Sequence, residues 1–286
     1  INGKLSALKL FFGMNDVVSL NWIKLRKMLP EKMKLTGDKP YKTKDIQLIL
    51  KNTANLKFKC LIHFMASSGV RIGSFETMKL KHLKDMPNNC KSVLVYDDDK
   101  AEYHTFIHHE AVEALDEYLA YRTRLGEKIT PNSWVIPSTS DSNKPVTTAS
   151  ITTQMNRFAR QNLVQDKKRG RYEIQACHGF RKRFDTILKS NYNVNINLAE
   201  KMMGHSTSIP LDNVYFKPVI EQLFEEYQKA IPELMIDDKF RLEQQLKKKD
   251  EKINELNQKD KEIDSLKNTI LEIKNNMLEL QNRIKP

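Results

Sequence analysis

The chain has 286 residues, 40% of them hydrophobic, which is enough for one large domain or two smaller ones with buried cores. Its 48 lysines and arginines outnumber 36 aspartates and glutamates, and the formal net charge of +12 favours a polyanionic partner over a merely basic soluble protein. The chain shows no apolar run near 20 residues and no signal peptide, so we expect no membrane association. Three scattered cysteines without a C-x-x-C pair predict an intracellular, reducing compartment and neither a structural disulfide nor a metal site.

The first 35 residues are predicted to be the last part of an N-terminal domain. Apolar spacing over 16–29 predicts one amphipathic helix, which Pro30 ends. Because one helix cannot form a domain and the chain begins with Ile1 rather than Met, we interpret 1–35 as the end of a truncated N-terminal, core-binding domain. The breaker residues of 36–40 predict a short linker.

The next segment, 36–236, is predicted to form one domain that is mostly α-helical with a small antiparallel β-sheet (α+β). Thr43 is the expected N-cap of its first helix, and Asp45 would complement the dipole in the first turn. The remaining predicted elements are strands at 91–96 and 103–107 joined by a polar hairpin loop, and helices at 56–68, 110–124, 148–162, 179–190, 198–203 and 218–231.

The last fifty residues, 237–286, follow a heptad pattern. Apolar side chains recur every seven residues, with a second set three positions later: Leu256, Ile263, Ile270, Met277 and Ile284, then Leu266, Ile273 and Leu280. This seam predicts a long C-terminal coiled-coil helix, which Lys259 weakens locally. Leu242, Leu246 and Ile253 extend the seam upstream, and the ten-residue step to Ile263 implies local overwinding. The segment has 12 basic and 11 acidic residues, so we assign it to self-association; a single solvated helix is the alternative.

Short motifs in the domain combine side chains suited to phosphodiester chemistry. His178-Gly-Phe-Arg181 places an imidazole and a guanidinium on one helical face, and Arg71 follows a Ser-Ser-Gly-Val segment. His205 and Tyr215 come later in the chain. Arginine binds phosphate oxygens in bidentate geometry, imidazole transfers protons near neutral pH, and tyrosine can form covalent intermediates. Together these residues indicate an enzyme in which a tyrosine hydroxyl attacks a DNA phosphodiester.

These motifs, in this order, resemble those of the tyrosine recombinases (phage-type integrases), most closely the archaeal and archaeal-virus branch, over about 41–217. The segment 66–73 resembles the first arginine box, 178–181 the H-x-x-R box, and 203–215 the L-G-H…Y segment. The segment 96–107 is similar to the β-hairpin that carries the family's lysine. The resemblance implies a tyrosine recombinase catalytic-domain fold and DNA integration or recombination by a mobile element.

The resemblance also implies a role for each matching residue. Tyr215 would form a 3′-phosphotyrosyl bond, and Arg71 and Arg181 would hold the non-bridging oxygens. His205 would donate a further hydrogen bond to the phosphate. His178 would accept the tyrosine proton, and Lys100 would protonate the leaving 5′-oxygen, although a plain solvated turn is the alternative for this lysine. No metal, ATP or other cofactor would be needed.

Basic residues around the H-x-x-R box are expected to contact phosphates of double-stranded DNA and to position the duplex. These candidates are Arg157, Arg160, Lys167, Lys168, Arg169, Arg171, Lys182 and Arg183. Self-association, as a tetramer on DNA aided by the coiled coil, is the other expected partnership.

One departure from the family pattern leaves two other functions open. The family usually has an acidic residue three positions after the first arginine, where this chain has Ser74, and Glu76 lies in a different helical direction. A non-catalytic DNA-binding protein that retains the fold is therefore an alternative. A type IB topoisomerase is another, although those enzymes generally carry a lysine at the position of His178.

Overall fold

The computed structural model describes residues 2–16, 20–29, 39–168, 171–205 and 218–284. The helices in these ranges are α1 (Asn2–Met14), α2 (Trp22–Lys27), α3 (Thr43–Lys51), α4 (Leu56–Ser68), α5 (His109–Arg124), α6 (Thr148–Asn162), α7 (His178–Ser190), α8 (Ile196–Met202), α9 (Ile220–Leu234) and α10 (Asp238–Ile284). The strands are β1 (Leu83–Met86), β2 (Cys90–Val95), β3 (Tyr103–Ile107), β4 (Lys167–Lys168) and β5 (Arg171–Tyr172). This architecture confirms the predicted fold class.

The main sheet is antiparallel and has the order β1-β2-β3. Its register pairs Leu83 with Val93 at one end of β1 and Val95 with Tyr103 at the far end of β2. The two predicted strands are confirmed, whereas β1 was not predicted. Its central residues are exposed and its outer ones only half-buried, so it lacks the apolar alternation that marks a strand in sequence.

Two clusters of buried apolar side chains form the interior. One joins α3–α6 to the sheet, and the other joins α7, α8 and α9 to Phe106 of β3. The turn after α4 packs against Phe184 of the second cluster. Gly69 in this turn has a left-handed backbone (φ +59°), and a Cβ there would lie 2.4 Å from Cδ1 of Phe184. Only glycine lets the chain turn this closely over α7, and the turn brings the following Arg71 toward that helix.

The N-terminal segment differs from its prediction. The helix expected over 16–29 is limited to α2, and α1 was not anticipated. Asp16 has a left-handed backbone (φ +49°), and Asn21 caps α2 through a 3.0 Å hydrogen bond from the Lys24 amide to its Oδ1. These local features set the start of α2, which apolar spacing alone does not reveal.

Helix α3 begins one residue earlier than its predicted N-cap, Thr43, would imply. Lys42 precedes α3, and its amide donates to Oδ2 of Asp45 at 2.8 Å, so Thr43 is the first helical residue rather than the N-cap. Asp45 acts in the first turn, as predicted. The β4–β5 ladder likewise replaces the loop expected at 167–171, although 169–170 lie outside the described residues.

The C-terminal helix α10 runs unbroken for 47 residues, which corresponds to about 70 Å. Its described apolar side chains are roughly half exposed or more, from Ile263 at 47% to Ile270 at 64%. The helix is therefore present as predicted, and its pairing into a coiled coil stays a prediction. Among the described residues, no helix is both long and apolar enough to cross a membrane.

Candidate active site

Arg71 is held by backbone and by an aromatic ring. It follows the turn at Gly69, and its Nη2 donates to the carbonyl of Gly204 at 2.6 Å. Its Cζ lies 5.7 Å from the centre of the Tyr103 ring on β3, within the range of cation–π attraction. One face of the guanidinium is thus fixed by the protein, and Arg71 remains half-exposed.

Arg181 projects from the first turn of α7 and is 7% exposed. Its Nη1 donates to the carbonyl of Gly69 at 2.8 Å, and its Nη2 donates to the carbonyl of Met203. Burial lowers the pKa of Arg181 from its ordinary value, and the charge of a nearby tyrosine hydroxyl opposes this. An arginine stays protonated under such a shift, so the site contains two fixed positive charges.

The turn at 203–205 connects both arginines to His205. Gly204 has a left-handed backbone (φ +59°), and a Cβ there would come within 2.3 Å of Cδ1 of Tyr103. Because Gly204 has no side chain, the Tyr103 ring can pack against its Cα while its carbonyl accepts the bond from Arg71. Nδ1 of His205 lies 2.6 Å from Oε2 of Glu200 on α8. The structure therefore brings Arg71, Arg181 and His205 around a single turn.

A groove of about 820 Å³ opens beside the arginines. Its charged and imidazole-bearing lining residues are Arg71, Arg160, Lys167, Arg171, His178 and Arg181, and none of the described lining residues is acidic. His178 is exposed at the start of α7. This surface presents a concentrated positive field with the imidazole of His178 in its lining, which suits a phosphodiester backbone.

Ser74 does not take the place of the missing acid. It is buried, and its hydroxyl donates to the main-chain carbonyl of Arg71 at 2.7 Å. Oε1 of Glu76 accepts the Thr148 amide at 2.5 Å, and this bond holds the pKa of Glu76 below its usual range. Glu76 therefore stabilises the start of α6. The guanidinium of Arg71 is oriented by the Gly204 carbonyl and the Tyr103 ring instead.

The candidate DNA contacts other than Arg183 fall into three groups. Arg157, Arg160, Lys167 and Arg171 are exposed, and Arg160 and Lys167 lie over the Tyr172 ring at 5.3 and 5.8 Å. Lys182 is half-buried. Arg169 and the side chain of Lys168 lie outside the described residues.

Arg183 does not fit its predicted contact with DNA. It is 3% exposed, and its Nη2 donates to the carbonyl of Glu233 at 2.9 Å and to Oγ1 of Thr43 at 3.3 Å. Because the guanidinium is used to join α7 to α9 inside the protein, it cannot reach a phosphate. The prediction for Arg183 is corrected accordingly.

The catalytic roles of all six candidates remain predictions, and two of the six are not among the described residues that meet at the turn or line the groove. Lys100 is exposed in the connection between β2 and β3, whose flanking Tyr96 and Tyr103 lie at the arginine site. This hairpin is the one predicted to carry the lysine. Tyr215 lies outside the described residues.

Sequence reasoning missed two residues that contact the site, Tyr103 and Glu200. Tyr103 was predicted only as a strand residue. Its place in the two-residue period of this strand is the signal that could have put its side chain in the interior, where it is buried. Glu200 lies five residues before His205, a spacing that has no meaning until the helix ends in a tight turn at Met203 and Gly204.

Comparison with known proteins identifies the family. Residues 41–218 match the model of the phage integrase family, which is more than half of the chain. The chain belongs to this family and is a tyrosine recombinase, an enzyme of DNA strand breakage and rejoining. The predicted extent of the resemblance agrees with this match. No curated protein matches the sequence significantly.

Solved structures agree at the level of fold. The Tn1549 transposon integrase in complex with a circular intermediate DNA gives a TM-score of 0.55 at 16% identity, covering 80% of this chain and 78% of that chain. The same integrase with transposon right end DNA gives 0.54 at 17% identity, with the same coverage. The chain spans about half of the XerH site-specific recombinase bound to difH substrate, covering 67% of this chain and 53% of that one at 16% identity and a TM-score of 0.48.

Proposed function

We propose that this protein is a site-specific DNA recombinase, or integrase, that cleaves and rejoins strands through a 3′-phosphotyrosine intermediate. The observation that carries the proposal is the meeting of Arg71, Arg181 and His205 around one turn at the edge of a basic groove. The residues that meet come from three separate motifs, and each has a side chain suited to phosphate. Their convergence is hard to explain by structural need alone.

The proposed reaction conserves bond energy. The Tyr215 oxygen attacks phosphorus and loses its proton to His178, while the bond to the 5′-oxygen breaks and Lys100 protonates that oxygen. Arg71, Arg181 and His205 stabilise the charge on the non-bridging oxygens as the pentacoordinate phosphorus forms. A 5′-hydroxyl of the partner strand then attacks the phosphotyrosine and releases Tyr215. Neither ATP nor a metal ion takes part in these steps.

The duplex is proposed to lie along the groove, with its phosphates on the basic side chains that the sequence predicts to contact DNA. These are Arg157, Arg160, Lys167, Lys168, Arg169, Arg171 and Lys182, whereas Arg183 is excluded by its burial. Such contacts give affinity and register rather than base recognition. Affinity for DNA should therefore fall steeply with salt concentration.

Several finer features belong to the same proposal. Residues 1–35 are the end of a core-binding domain, 36–236 the catalytic domain, and 237–286 a coiled-coil element that promotes tetramer assembly on DNA. The sequence motifs favour the archaeal and archaeal-virus branch, as part of a mobile element acting on DNA inside the cell. The exposed apolar residues of α10 support the assembly role.

A nicked suicide substrate tests the proposal. Cleavage beside the nick releases a short fragment and traps the enzyme on DNA, and we expect the adduct to form in excess EDTA. Tyr215→Phe should abolish the adduct and leave duplex affinity within a few-fold, because binding rests on distributed basic contacts. Tyr192→Phe, which changes a fully exposed tyrosine, is the matched control and should cleave normally.

The outcomes separate the candidate functions. An adduct on the Tyr215→Phe variant would remove Tyr215 as the nucleophile, and strict dependence on magnesium would contradict the mechanism. A wild-type protein that binds DNA without forming an adduct would be a non-catalytic DNA-binding protein. Relaxed circles as the only product would indicate a topoisomerase, and joined strands from two sites a recombinase.

A further inference from the structure

Glu200 contacts His205 in two ways. Its Oε2 lies 2.6 Å from Nδ1 of the imidazole, and its main-chain carbonyl accepts the His205 amide at 3.2 Å. The two bonds close the turn in which Gly204 meets Arg71. A carboxylate can only accept, so Nδ1 is the donor and the ring is oriented with Nε2 as its remaining polar atom.

Glu200 is itself fixed by a charge network on α7. Lys189 Nζ contacts Oε1 of Glu200 and lies 2.9 Å from Oδ1 of Asp185, an ion-pair distance without the alignment of a hydrogen bond. Partial burial raises the pKa of Glu200, but hydrogen bonds from Lys189 and His205 outweigh burial and hold the pKa below its usual range. Glu200 is therefore ionised at neutral pH.

The same residues resemble a metal site, because donor atoms of Asp185, Glu200 and His205 all lie within 4.8 Å of one another. The ammonium of Lys189 already contacts both carboxylates. Two carboxylates and one ammonium leave one net negative charge on this cluster. Because an ammonium already pairs with both carboxylates, the arrangement is that of a charge network rather than of a metal site.

We propose that Glu200 is a positioning residue for strand cleavage, which holds the imidazole of His205 in one orientation through its contact with Nδ1. This inference rests on the proposed function. With Nδ1 committed to Glu200, Nε2 is the ring atom left to contact a phosphate oxygen. Glu200 would thereby set the orientation of His205 without touching DNA itself.

A double-mutant cycle tests this coupling. The single-turnover rate of adduct formation on the suicide substrate is measured at saturating enzyme for the wild type, Glu200→Gln, His205→Ala and the double variant. We expect Glu200→Gln to slow cleavage about tenfold in the wild-type background and to have no further effect in the His205→Ala background. DNA affinity should be unchanged. The glutamine carbonyl can still accept Nδ1–H, but more weakly than a carboxylate does, so the ring should be held less firmly.

The matched control is Glu226→Gln. The carboxylate of Glu226 accepts the Asn195 amide at 2.7 Å, next to the start of the same helix, α8, and pairs with Lys229. We expect this variant to cleave at the wild-type rate.

Each result decides the question. If Glu200→Gln lowers the cleavage rate by the same factor in both backgrounds, Glu200 acts on the stability of the fold and not through His205. That result would overturn the inference even if Glu200→Gln is poorly folded. Wild-type cleavage by Glu200→Gln would overturn it as well, with the recombinase function intact. Failure of the wild type to form any adduct would refute the recombinase function and this inference with it.

Discussion

At the scale of single residues, the site depends on carbonyl oxygens more than on acidic side chains. Arg71 and Arg181 together donate to the carbonyls of Gly69, Met203 and Gly204. A neutral acceptor orients a guanidinium without cancelling its charge, so both arginines keep their attraction for a phosphate. This arrangement explains how Ser74 can stand at the usual acidic position without loss of the site.

The arrangement makes Gly204 indispensable. Gly204→Ala would require a left-handed alanine and place its Cβ 2.3 Å from the Tyr103 ring, so we expect a loss of about 1–3 kcal/mol in stability and a strong loss of cleavage. Gly73→Ala is the control, because a Cβ there meets only the Tyr96 hydroxyl at 3.5 Å. Urea unfolding and the suicide-substrate assay measure both effects. Equal behaviour of the two variants would show that the turn tolerates a side chain.

At the scale of elements, the first turn of α5 anchors the approach to the tail helix. The Glu110 carboxylate accepts the amides of Ile236 and Asp237, each at 2.9 Å, immediately before α10 begins. Burial raises the pKa of Glu110 to about 7, although the two amide bonds and the nearby Arg183 oppose this. The junction between domain and tail therefore contains a carboxyl group that titrates near neutral pH.

This shift predicts a pH dependence of stability. Between the ordinary pKa near 4.5 and about 7, the folded state holds a proton that the unfolded state has lost, so stability falls as pH rises through this window. The contribution is on the order of 3 kcal/mol. Glu110→Gln should remove this fall in urea unfolding at pH 5 and pH 8, whatever its absolute stability.

Comparing the wild type with Glu110→Gln separates the effect of Glu110 on stability from that of other buried titratable residues. Burial lowers the pKa of His63 to about 4 and that of His108 as well, and these groups make stability rise with pH. They are present in both proteins, so the difference between them reports Glu110. Glu113→Gln, at an exposed position of α5, should leave the wild-type profile unchanged. A Glu110→Gln profile parallel to the wild type would contradict the assignment.

At the scale of the whole molecule, charge and apolar surface are separated. The tail has 12 basic and 11 acidic residues, so the net positive charge of the chain belongs almost entirely to residues 1–236. The groove is basic, whereas α10 presents a stripe of exposed isoleucine and leucine. DNA binding and assembly are thus expected to be separable.

We therefore expect Ile263→Lys combined with Ile270→Lys to abolish self-association through α10, because two buried ammonium groups would face each other across the seam. Single-site DNA binding and single-strand cleavage should persist. Ser265→Lys adds a charge beside the seam and is the control. Sedimentation of the full chain gives the oligomeric state, and a gel shift gives DNA binding. If the double variant loses DNA binding while remaining oligomeric, the tail belongs to the DNA-binding surface instead.

Elements with strong apolar periodicity could be predicted from local sequence, and residue types indicated the chemistry of the motifs. Strand β3 and helices α4 and α6 lie where they were predicted, because their apolar patterns and boundary residues are local signals. Arg71, Arg181 and His205 were found from residue types and order, and the structure joins them. The family followed from the same motifs.

Which side chains share a surface depends on packing between segments that are far apart in the chain. The bond from Arg71 to Gly204 spans 133 positions, and that from Arg183 to Glu233 spans 50. No local pattern encodes such contacts, so Arg181 at the site and Arg183 in the interior look alike in sequence. Tyr103 meets Arg71 only in the folded chain, and the contact between Glu200 and His205 depends on the tight turn that follows α8. The residue type fixes which bonds a side chain can form. Packing between distant segments then determines whether its partner is water, protein or substrate.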